Sequence, residues 1–547
     1  MSEMDKDLQS IQAARELARK GKLAANKLAH YTEEQIDTIL KAMVDAAEKN
    51  AFSLAEMAVQ ETGFGVAEDK LYKNHMASGL LYEQIKDKKT IGIIEVNEEK
   101  QMIAVAEPVG LVMGIVPSTN PTSTIFFKSL IALKSRNAIV FSPHPSAAKC
   151  SLAAIDILHK AAVEAGAPED CIQGISIGSI QATNELMHSD EVSLIIATGG
   201  PAMVKAAYSA GKPALGVGAG NSPAYIERSA NVHEAVKAII ASKTFDNGTI
   251  CASEQSVICE TCNRDEVIRE FESQGAYFMS KEETDKVCKL LFRGGQAMNP
   301  KFVGRNPQVI ADAANINIPA GTKVLIGEQF GVGPEWPLSY EKLTTVLAFY
   351  TVSDWKEACE LSIDLLQNGI GHTMSLHTED KDVVRKFSVK PASRILINTG
   401  GTMGGTGVST GLDISLTLGC GTWGGSSISE NVGPEHLMNI KRVVYGMKDV
   451  TRLTEGDKIF EKYHSAHSKK APQDNSRPSA SNYSTCDIQT KNKNEMPNYD
   501  RSGISYSLGC KSCGGSDMRP SAMDESIDLE QLQDMINAMV AAMKGEE

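Results

Sequence analysis

Between residues 109 and 211 the chain alternates short apolar runs with longer amphipathic ones, and this alternation limits the fold more than any other feature. "VGLVMGIVP" (109–117) is a brief apolar run bounded by Gly and Pro, the pattern of a strand buried on both faces. "IFFKSLIALKSR" reads as a helix, "NAIVFSP" as a strand and "SAAKCSLAAIDILHKAAVEAG" as a helix. "IQGISI" (strand), "IQATNELMHS" (helix), "VSLIIATGG" (strand) and "PAMVKAAYSAG" (helix) continue the alternation. Short connections between such elements predict an α/β chain on a doubly wound parallel sheet. Sheets of this kind take nucleotides at the carboxyl ends of their strands.

A second α/β block is expected from 256 to about 400, with candidate strands "QSVICE", "LTTVLAFY", "HTMSLHT" and "SRILINT". Ahead of both, residues 6–60 carry apolar side chains at spacings of three and four, and read as helices ending near Gly63. "IGIIEVNEEKQMIAVA" (91–106) reads as a β-hairpin with an Asn-Glu turn. It is isolated in sequence and so is expected to pack on something distant.

A chain of 547 residues is long enough for two or three domains with real cores. Its net charge of −13 leaves no strongly basic face for nucleic acid. "MSEMDKDLQSIQAARELARK" is charged and lacks the apolar core of a leader. No apolar run approaches the ~18 residues that span a bilayer. A cytoplasmic protein is expected. The cysteines, 11 in number and scattered, suit reduced thiols better than a disulfide framework.

Past 450 the composition shifts. Residues 465–525 are rich in Ser, Asn, Lys and Pro, with too little apolar surface to offset ordering entropy, and read as a disordered linker. "DLEQLQDMINAMVAAMK" then sets Leu529, Leu532, Ile536, Met539, Val540 and Met543 on one stripe of a helix. Asp528 and Glu530 suit its start, and Lys544 and Gly545 its end. Its polar face is acidic, unlike that of a membrane-surface helix. Cys510 and Cys513 form a CxxC in the linker, and His464 and His467 an HxxH. They are too far apart in a flexible stretch to suggest a metal site.

One cysteine raises a chemical question. Cys251 lies in "FDNGTICASEQS", between a Gly-containing turn and small polar residues. Read from its residues alone, it is either a buried small side chain, the commoner fate of a free cysteine, or a nucleophile. Asn120, in "STNP", is equally a turn residue favoured before Pro121. Glu341 is a solvated loop charge or a ligand-holding carboxylate. Thr198, Gly199 and Gly200 follow a strand and open a helix, where backbone N–H groups can lie against a dinucleotide. No GxGxxG stands at a strand–helix junction.

Five stretches together resemble one family: "EPVGLVMGIVPSTNPTSTIFFKSLIALKSRNAIVFSPHPSA", "IIATGGPAMVKAAYSAGKPALGVGAGNSPA", "FDNGTICASEQSV", "YEKLTTVL" and "LTLGCGTWGGSSISENVGP". They look like the aldehyde dehydrogenase superfamily, and within it the CoA-acylating branch. The likeness extends over most of residues 10–445. It is strongest to the aldehyde dehydrogenase half of bifunctional aldehyde–alcohol dehydrogenases and to enzymes of bacterial microcompartments. The resemblance implies that Cys251 is the nucleophile. Asn120 and the Cys251 backbone N–H would form the oxyanion hole, and Glu341 would hold the nicotinamide ribose. His372, in "GIGHT", would assist deprotonation of coenzyme A or hold a loop. Thr198, Gly199 and Gly200 would lie against the cofactor, and the Gly-rich segment 400–425 would shape the substrate end.

Two departures from the hydrolytic branch carry information. That branch has a water-activating Glu in a "LELGGKSP"-like stretch; here the stretch is "GVGAGNSP" and Val217 takes the Glu position. Valine accepts no proton, so a thiol, coenzyme A, becomes the natural acyl acceptor. In "FSPHPS", Ser142 and Pro143 stand where hydrolytic members carry a Lys-Pro pair, the Lys contacting the adenosine ribose. That leaves NAD against NADP open, with NAD the family's usual choice.

The resemblance thus implies an aldehyde dehydrogenase-like fold of two doubly wound α/β domains. Residues 1–225 would be the NAD-binding domain with the 91–106 hairpin inserted, and 226–430 the catalytic domain. Residues 431–450 would be an oligomerisation strand and return, 451–525 a linker and 526–547 a targeting helix. A homodimer or homotetramer is expected. The helix would dock on a microcompartment shell protein or other cargo, or else on its own oligomer. The expected substrate is a short aldehyde, acetaldehyde and propionaldehyde being equally open. The rival readings are a hydrolytic aldehyde dehydrogenase and a catalytically silent scaffold.

Overall fold

The structure, a computed structural model, describes residues 5–294, 296–366, 369–447 and 458–467. Two helices, Lys6–Leu28 and Glu33–Thr62, lead the chain. The second opens on a reciprocal cap: Thr32 accepts from Gln35 N, and the Gln35 side chain accepts from Thr32 N. It ends at Gly63, whose φ of +68° lies in the left-handed region that favours glycine. Its stripe of Ile36, Ile39, Leu40, Met43 and Ala47 is buried in the core beneath the first sheet.

Strands β1 (Gly92–Asn97) and β2 (Met102–Pro108) pair antiparallel. Their connection is residues 98–101, with Gln101 at φ +45° and Asn97 Oδ1 accepting from Lys100 N. Next come β3 (Leu111–Val116), β4 (Ala138–Pro143), β5 (Ile172–Gly174), β6 (Val192–Thr198) and β7 (Ala214–Val217). These form one all-parallel sheet in the order β5-β4-β3-β6-β7. Every residue of β3 and β4 is buried, as expected for apolar strands covered by helices on both faces. Strand order reverses between β3 and β6, so a crevice opens at their carboxyl ends.

A second parallel sheet takes up β8 (Ser222–Ile226), β9 (Glu254–Glu260), β10 (Ala276–Met279), β13 (Val324–Glu328), β14 (Val346–Val352), β15 (Gly371–His377) and β16 (Ala392–Ile397). Two-residue strands β11 (Phe292–Arg293) and β12 (Ala297–Met298) pair separately. The large sheet has the order β10-β13-β14-β9-β8-β15-β16. β8 pairs with β9 and β15, so the chain passes between sheets at residues 218–221, ahead of the 225/226 boundary expected from sequence. β8, β10 and β13 were not among the sequence's candidate strands: they are four or five residues long, and Pro223 or Gly327 interrupts the apolar run in two of them. β17 (Met438–Val444) joins β1 and β2 in a three-stranded sheet with the order β1-β2-β17.

Beyond the three-stranded sheet, the described residues include a helix over Lys458–His467. It falls inside the stretch expected to be linker from 451, and His464 lies on it. Ile459, Phe460 and Tyr463 give this short segment a helical apolar spacing that residues 468–525 lack. Cys510, Cys513 and the expected helix 526–547 lie outside the described residues. Among the described residues no helix is long and apolar enough to cross a membrane, and no His/Cys/Asp/Glu group has a metal-holding arrangement. All eight described cysteines are free.

Candidate active site

A cavity of about 560 Å³ opens at the carboxyl ends of β3, β4, β6 and β7, and residues 249–251, Glu341 and Leu343, which lead into β9 and β14, line its far side. Asn120, Ser142, Pro143, Thr198, Gly199, Gly200, Val217, Cys251 and Glu341 all line it. His372 reaches Cys251 from within β15.

Cys251 is delivered by an unusual turn. Asp246, Asn247 and Gly248 have φ of +48°, +51° and +75°, three left-handed residues in a row. Non-glycine residues pay about 1–2 kcal/mol each for that conformation. A Cβ on Gly248 would also stand 2.8 Å from Thr344 O. The turn persists because its first side chain is held from every side. The buried Asp246 carboxylate accepts from Val66 N (2.8 Å), Lys70 Nζ (2.8 Å), Thr249 Oγ1 (2.7 Å) and Lys73 Nζ. The Asp246 N–H donates to Asp69 Oδ2 at 2.8 Å.

Beyond the turn, Cys251 Sγ lies 3.2 Å from His372 Nε2. His372 is fully buried, and its Nδ1 is 2.9 Å from Thr373 Oγ1. With Nδ1–H donating to Thr373, the Nε2 lone pair faces the thiol. Arg394 fixes this arrangement. Its Nε donates to Thr373 Oγ1 at 3.1 Å, and its terminal nitrogens donate to His372 O, Gly419 O and Asn431 Oδ1. Burial pushes the Cys251 thiol up to about 12, with Glu341 and Cys420 adding to the effect and Arg394 opposing it. Burial, and secondly the Arg394 charge, hold His372 well below the ordinary imidazole range. The resting pair is a neutral thiol on a neutral imidazole, so the proton moves as the sulfur attacks.

Asn120 occupies the N-cap position of the helix Pro121–Lys134, yet its side chain makes no capping bond. Its Oδ1 instead accepts from Lys73 Nζ at 2.6 Å. Nδ2 has only long contacts, 3.2 Å to Thr119 Oγ1 and 3.5 Å to Thr249 O. Glu341 accepts from Gly220 N at 2.9 Å, and burial pushes its carboxyl up to about 7 against the opposing pull of that N–H, Lys243 and Lys342. Gly220 packs so closely on the nucleophile that a Cβ there would fall 2.0 Å from Cys251 O.

The other wall suits a dinucleotide. Gly200 caps the helix Pro201–Ser209, whose N-terminal N–H groups face an anion favourably. A Cβ on Gly200 would meet nothing within 4 Å, and one on Gly199 only Met203 Cβ at 4.0 Å, so the floor is open. Ser142 Oγ is 2.8 Å from Thr183 Oγ1. Val217 is buried at the end of β7 and brings no proton acceptor to the cavity. Lys70, Lys73, Asp246, Thr373 and Arg394 are site residues that sequence reasoning missed. Only the Asp-Asn-Gly tripeptide before Cys251 carried a local signal, as a turn.

Two parallel sheets meeting end to end over a thiol, an imidazole and a glycine-floored cleft make an α/β thiol-enzyme site. The chain belongs to the aldehyde dehydrogenase family, whose model matches residues 4–288. It is 46% identical over 434 residues to the bifunctional aldehyde-alcohol dehydrogenase AdhE of Escherichia coli (strain K12), a match covering 78% of this chain and 49% of that protein. The chain thus spans about half the length of the aldehyde–alcohol dehydrogenases it matches. It is 40% identical over 438 residues to a succinate-semialdehyde dehydrogenase (acetylating) of Clostridium kluyveri, covering 80% of this chain and 96% of that one. The crystal structure of an acetylating aldehyde dehydrogenase from Geobacillus thermoglucosidasius matches with a TM-score of 0.80 at 50% identity, over 82% of this chain and 99% of that one.

Proposed function

We propose that the chain is a CoA-acylating aldehyde dehydrogenase, oxidising a short-chain aldehyde with NAD+ and passing the acyl group to coenzyme A. The observation that carries this reading is the pairing of Cys251 with His372 at 3.2 Å, at the edge of a cavity where Val217 replaces the branch's water-activating carboxylate.

Cys251 Sγ adds to the aldehyde carbon while its proton passes to His372 Nε2. The carbonyl oxygen becomes an oxyanion that accepts from Asn120 Nδ2 and the Cys251 N–H. When bound, NAD+ would supply a hydride acceptor, and loss of hydride leaves the adduct as a thioester on Cys251. Thr198, Gly199 and Gly200 would hold the cofactor's phosphates, Ser142 and Pro143 its adenosine end, and Glu341 its nicotinamide ribose. His372 releases its proton to solvent and then takes the proton of the coenzyme A thiol, whose sulfur attacks the thioester carbonyl. Cys251 leaves as thiolate and recovers that proton from His372. The balance is aldehyde, NAD+ and coenzyme A to acyl-CoA, NADH and one proton.

Assembly follows from the same reading. The β1-β2-β17 sheet is the oligomerisation element of a homodimer or homotetramer, supported by the exposure of β17. Residues 1–225 serve cofactor binding and 226–430 catalysis, with 431–450 returning to the assembly face. The stripe of the 526–547 segment supports targeting to a bacterial microcompartment, within the cytoplasm, through a shell protein or other cargo.

The test is NADH formation from acetaldehyde and propionaldehyde, with and without coenzyme A, with identification of the product. Turnover that needs coenzyme A and yields acyl-CoA is expected. Free acid formed without it would overturn thiolysis and pass the water-activating role to Glu341, the one carboxylate lining the cavity among the described residues.

A further inference from the structure

Lys73 is buried, 1% exposed, and comes with Lys70 from the helix Ala67–His75, remote in sequence from Asn120, Asp246 and Cys251. An ammonium has three N–H donors, and all three are committed. They reach Asp246 Oδ2, Thr249 Oγ1 at 2.8 Å and Asn120 Oδ1 at 2.6 Å. Lys70, one helical turn earlier, shares the Asp246 carboxylate and also donates to Thr119 O at 2.9 Å. The same two lysines therefore touch the turn before Cys251 and the segment that carries Asn120.

An amide can sit either way round, and nothing local decides the matter for Asn120, whose two Nδ2 contacts are long. The ammonium decides it. An N–H pair pointed at Lys73 would set donor against cation, whereas Oδ1 accepts a charge-assisted bond. With Oδ1 held there, Nδ2 is turned toward Thr249 O and the cavity wall it shares with Cys251. A cation on the amide oxygen also draws electron density from nitrogen, which makes the N–H groups stronger donors. We propose that Lys73 is a positioning residue for the oxyanion site, acting through Asn120 to orient and polarise the amide that receives the developing negative charge.

The device explains why a buried cation is retained there. Charged groups facing Lys73 are Asp246, Lys70 and Asp69, two of each sign with Lys73 included. Burial outweighs the two carboxylates and brings Lys73 down to about 8. The polarising charge is thus present at neutral pH and is lost as pH rises through about 8.

This inference rests on Asn120 being the oxyanion donor, and the experiment separates the two. Full-length protein without NAD+ or coenzyme A is mixed with 4-nitrophenyl acetate. Cys251 Sγ attacks the ester carbonyl, 4-nitrophenolate leaves, and its burst reads the acylation rate. Iodoacetamide alkylation of Cys251, which builds no oxyanion, reads the nucleophile alone. Asn120→Ala should slow the burst by roughly 10²–10³-fold. Lys73→Met should slow it at least roughly tenfold, and Asn120→Ala/Lys73→Met no further than Asn120→Ala. Alkylation should stay within about twofold in all three variants.

A silent Lys73→Met, or effects that multiply in the double variant, would overturn the role of Lys73 while leaving Asn120 in place. Slowed alkylation in Lys73→Met would likewise overturn it, by locating the effect at the thiol. A silent Asn120→Ala would remove the oxyanion reading itself. Should Lys73→Met fail to fold, the wild-type burst divided by that of Asn120→Ala is followed from pH 6 to 10. The ratio should fall through about 8; a flat ratio would defeat the inference.

Discussion

The two walls of the cavity are built on opposite plans. The first-sheet wall is backbone and small side chains: Thr198, Gly199, Gly200, Ser142 and Pro143, with open space above the glycines. The opposite wall presents two half-buried ionisable groups, Cys251 and Glu341, backed by the buried His372, Arg394 and Asp246 and, from the helix Ala67–His75, Lys73, each held by others. A surface that only binds can be made of generic parts, because hydrogen bonds to backbone survive small changes of side chain. A surface that moves protons and stabilises charge depends on angles and charges that no neighbour can replace. Substitutions should therefore act steeply on one wall and gently on the other.

The steepest expected effect is at the thiol. Cys251→Ala should abolish aldehyde oxidation, by at least roughly 10⁴-fold, since no other thiol among the described residues lines the cavity to carry the acyl chain. NADH binding, followed by fluorescence titration, should change little, because the first-sheet wall is untouched. Loss of both would show that the walls are not separable. His372→Ala comes next. Without its acceptor, a thiol pushed up to about 12 must lose its proton to water, and kcat should fall by roughly 10²–10⁴-fold. Raising the pH should restore part of that loss in stopped-flow assays. A variant with unchanged kcat would reduce His372 to a packing residue.

The contrast between walls also governs what could be read from sequence. The buried strands β3, β4 and β6 are legible because each is a continuous apolar run with punctuation at both ends. The glycine floor is legible for the same local reason, a Gly pair between strand and helix. The charged network is not. Lys70 and Lys73 sit three apart in "AEDKLYKNH", the spacing of an ordinary solvent-facing helix stripe. Their burial depends on Asp246, which enters from a turn distant in the chain. Arg394 is equally hidden: an arginine within "SRILINT" looks like the exposed alternate position of a strand, but is 3% exposed. Asp-Asn-Gly announces a turn and leaves its purpose unstated, since the strain is stabilised by long-range contacts.

A milder effect should come from Glu341, which belongs to the second-sheet wall yet faces the cofactor. Burial raises its carboxyl from 4.5 to about 7, so the folded protein holds a proton there that the unfolded chain has given up. Stability must then fall as pH rises through that window. Glu341→Gln keeps an oxygen for Gly220 N–H and removes the titration. The urea midpoint of wild type, relative to that of the variant, should drop between pH 5 and pH 8 by the equivalent of about 2 kcal/mol. Equal midpoints at both pH values would mean that solvent reaches the carboxylate, and the second wall would be less dry than its packing implies.

The smallest effect should lie on the first-sheet wall, at Gly200. Its φ of −65° and ψ of 158° are open to any residue, and an added methyl meets no atom of the protein. Gly200→Ala should therefore change stability by less than about 1 kcal/mol. The methyl would occupy space only where a dinucleotide phosphate approaches the helix N-terminus. KM for NAD+ should rise by roughly three- to tenfold while kcat stays level, since about 1 kcal/mol of binding is at issue. If kcat falls and KM does not, the glycine wall takes part in the chemistry and the division between the walls fails. If neither moves, the cofactor phosphates lie away from residues 198–200, and the binding wall must be sought among the other residues of the cavity.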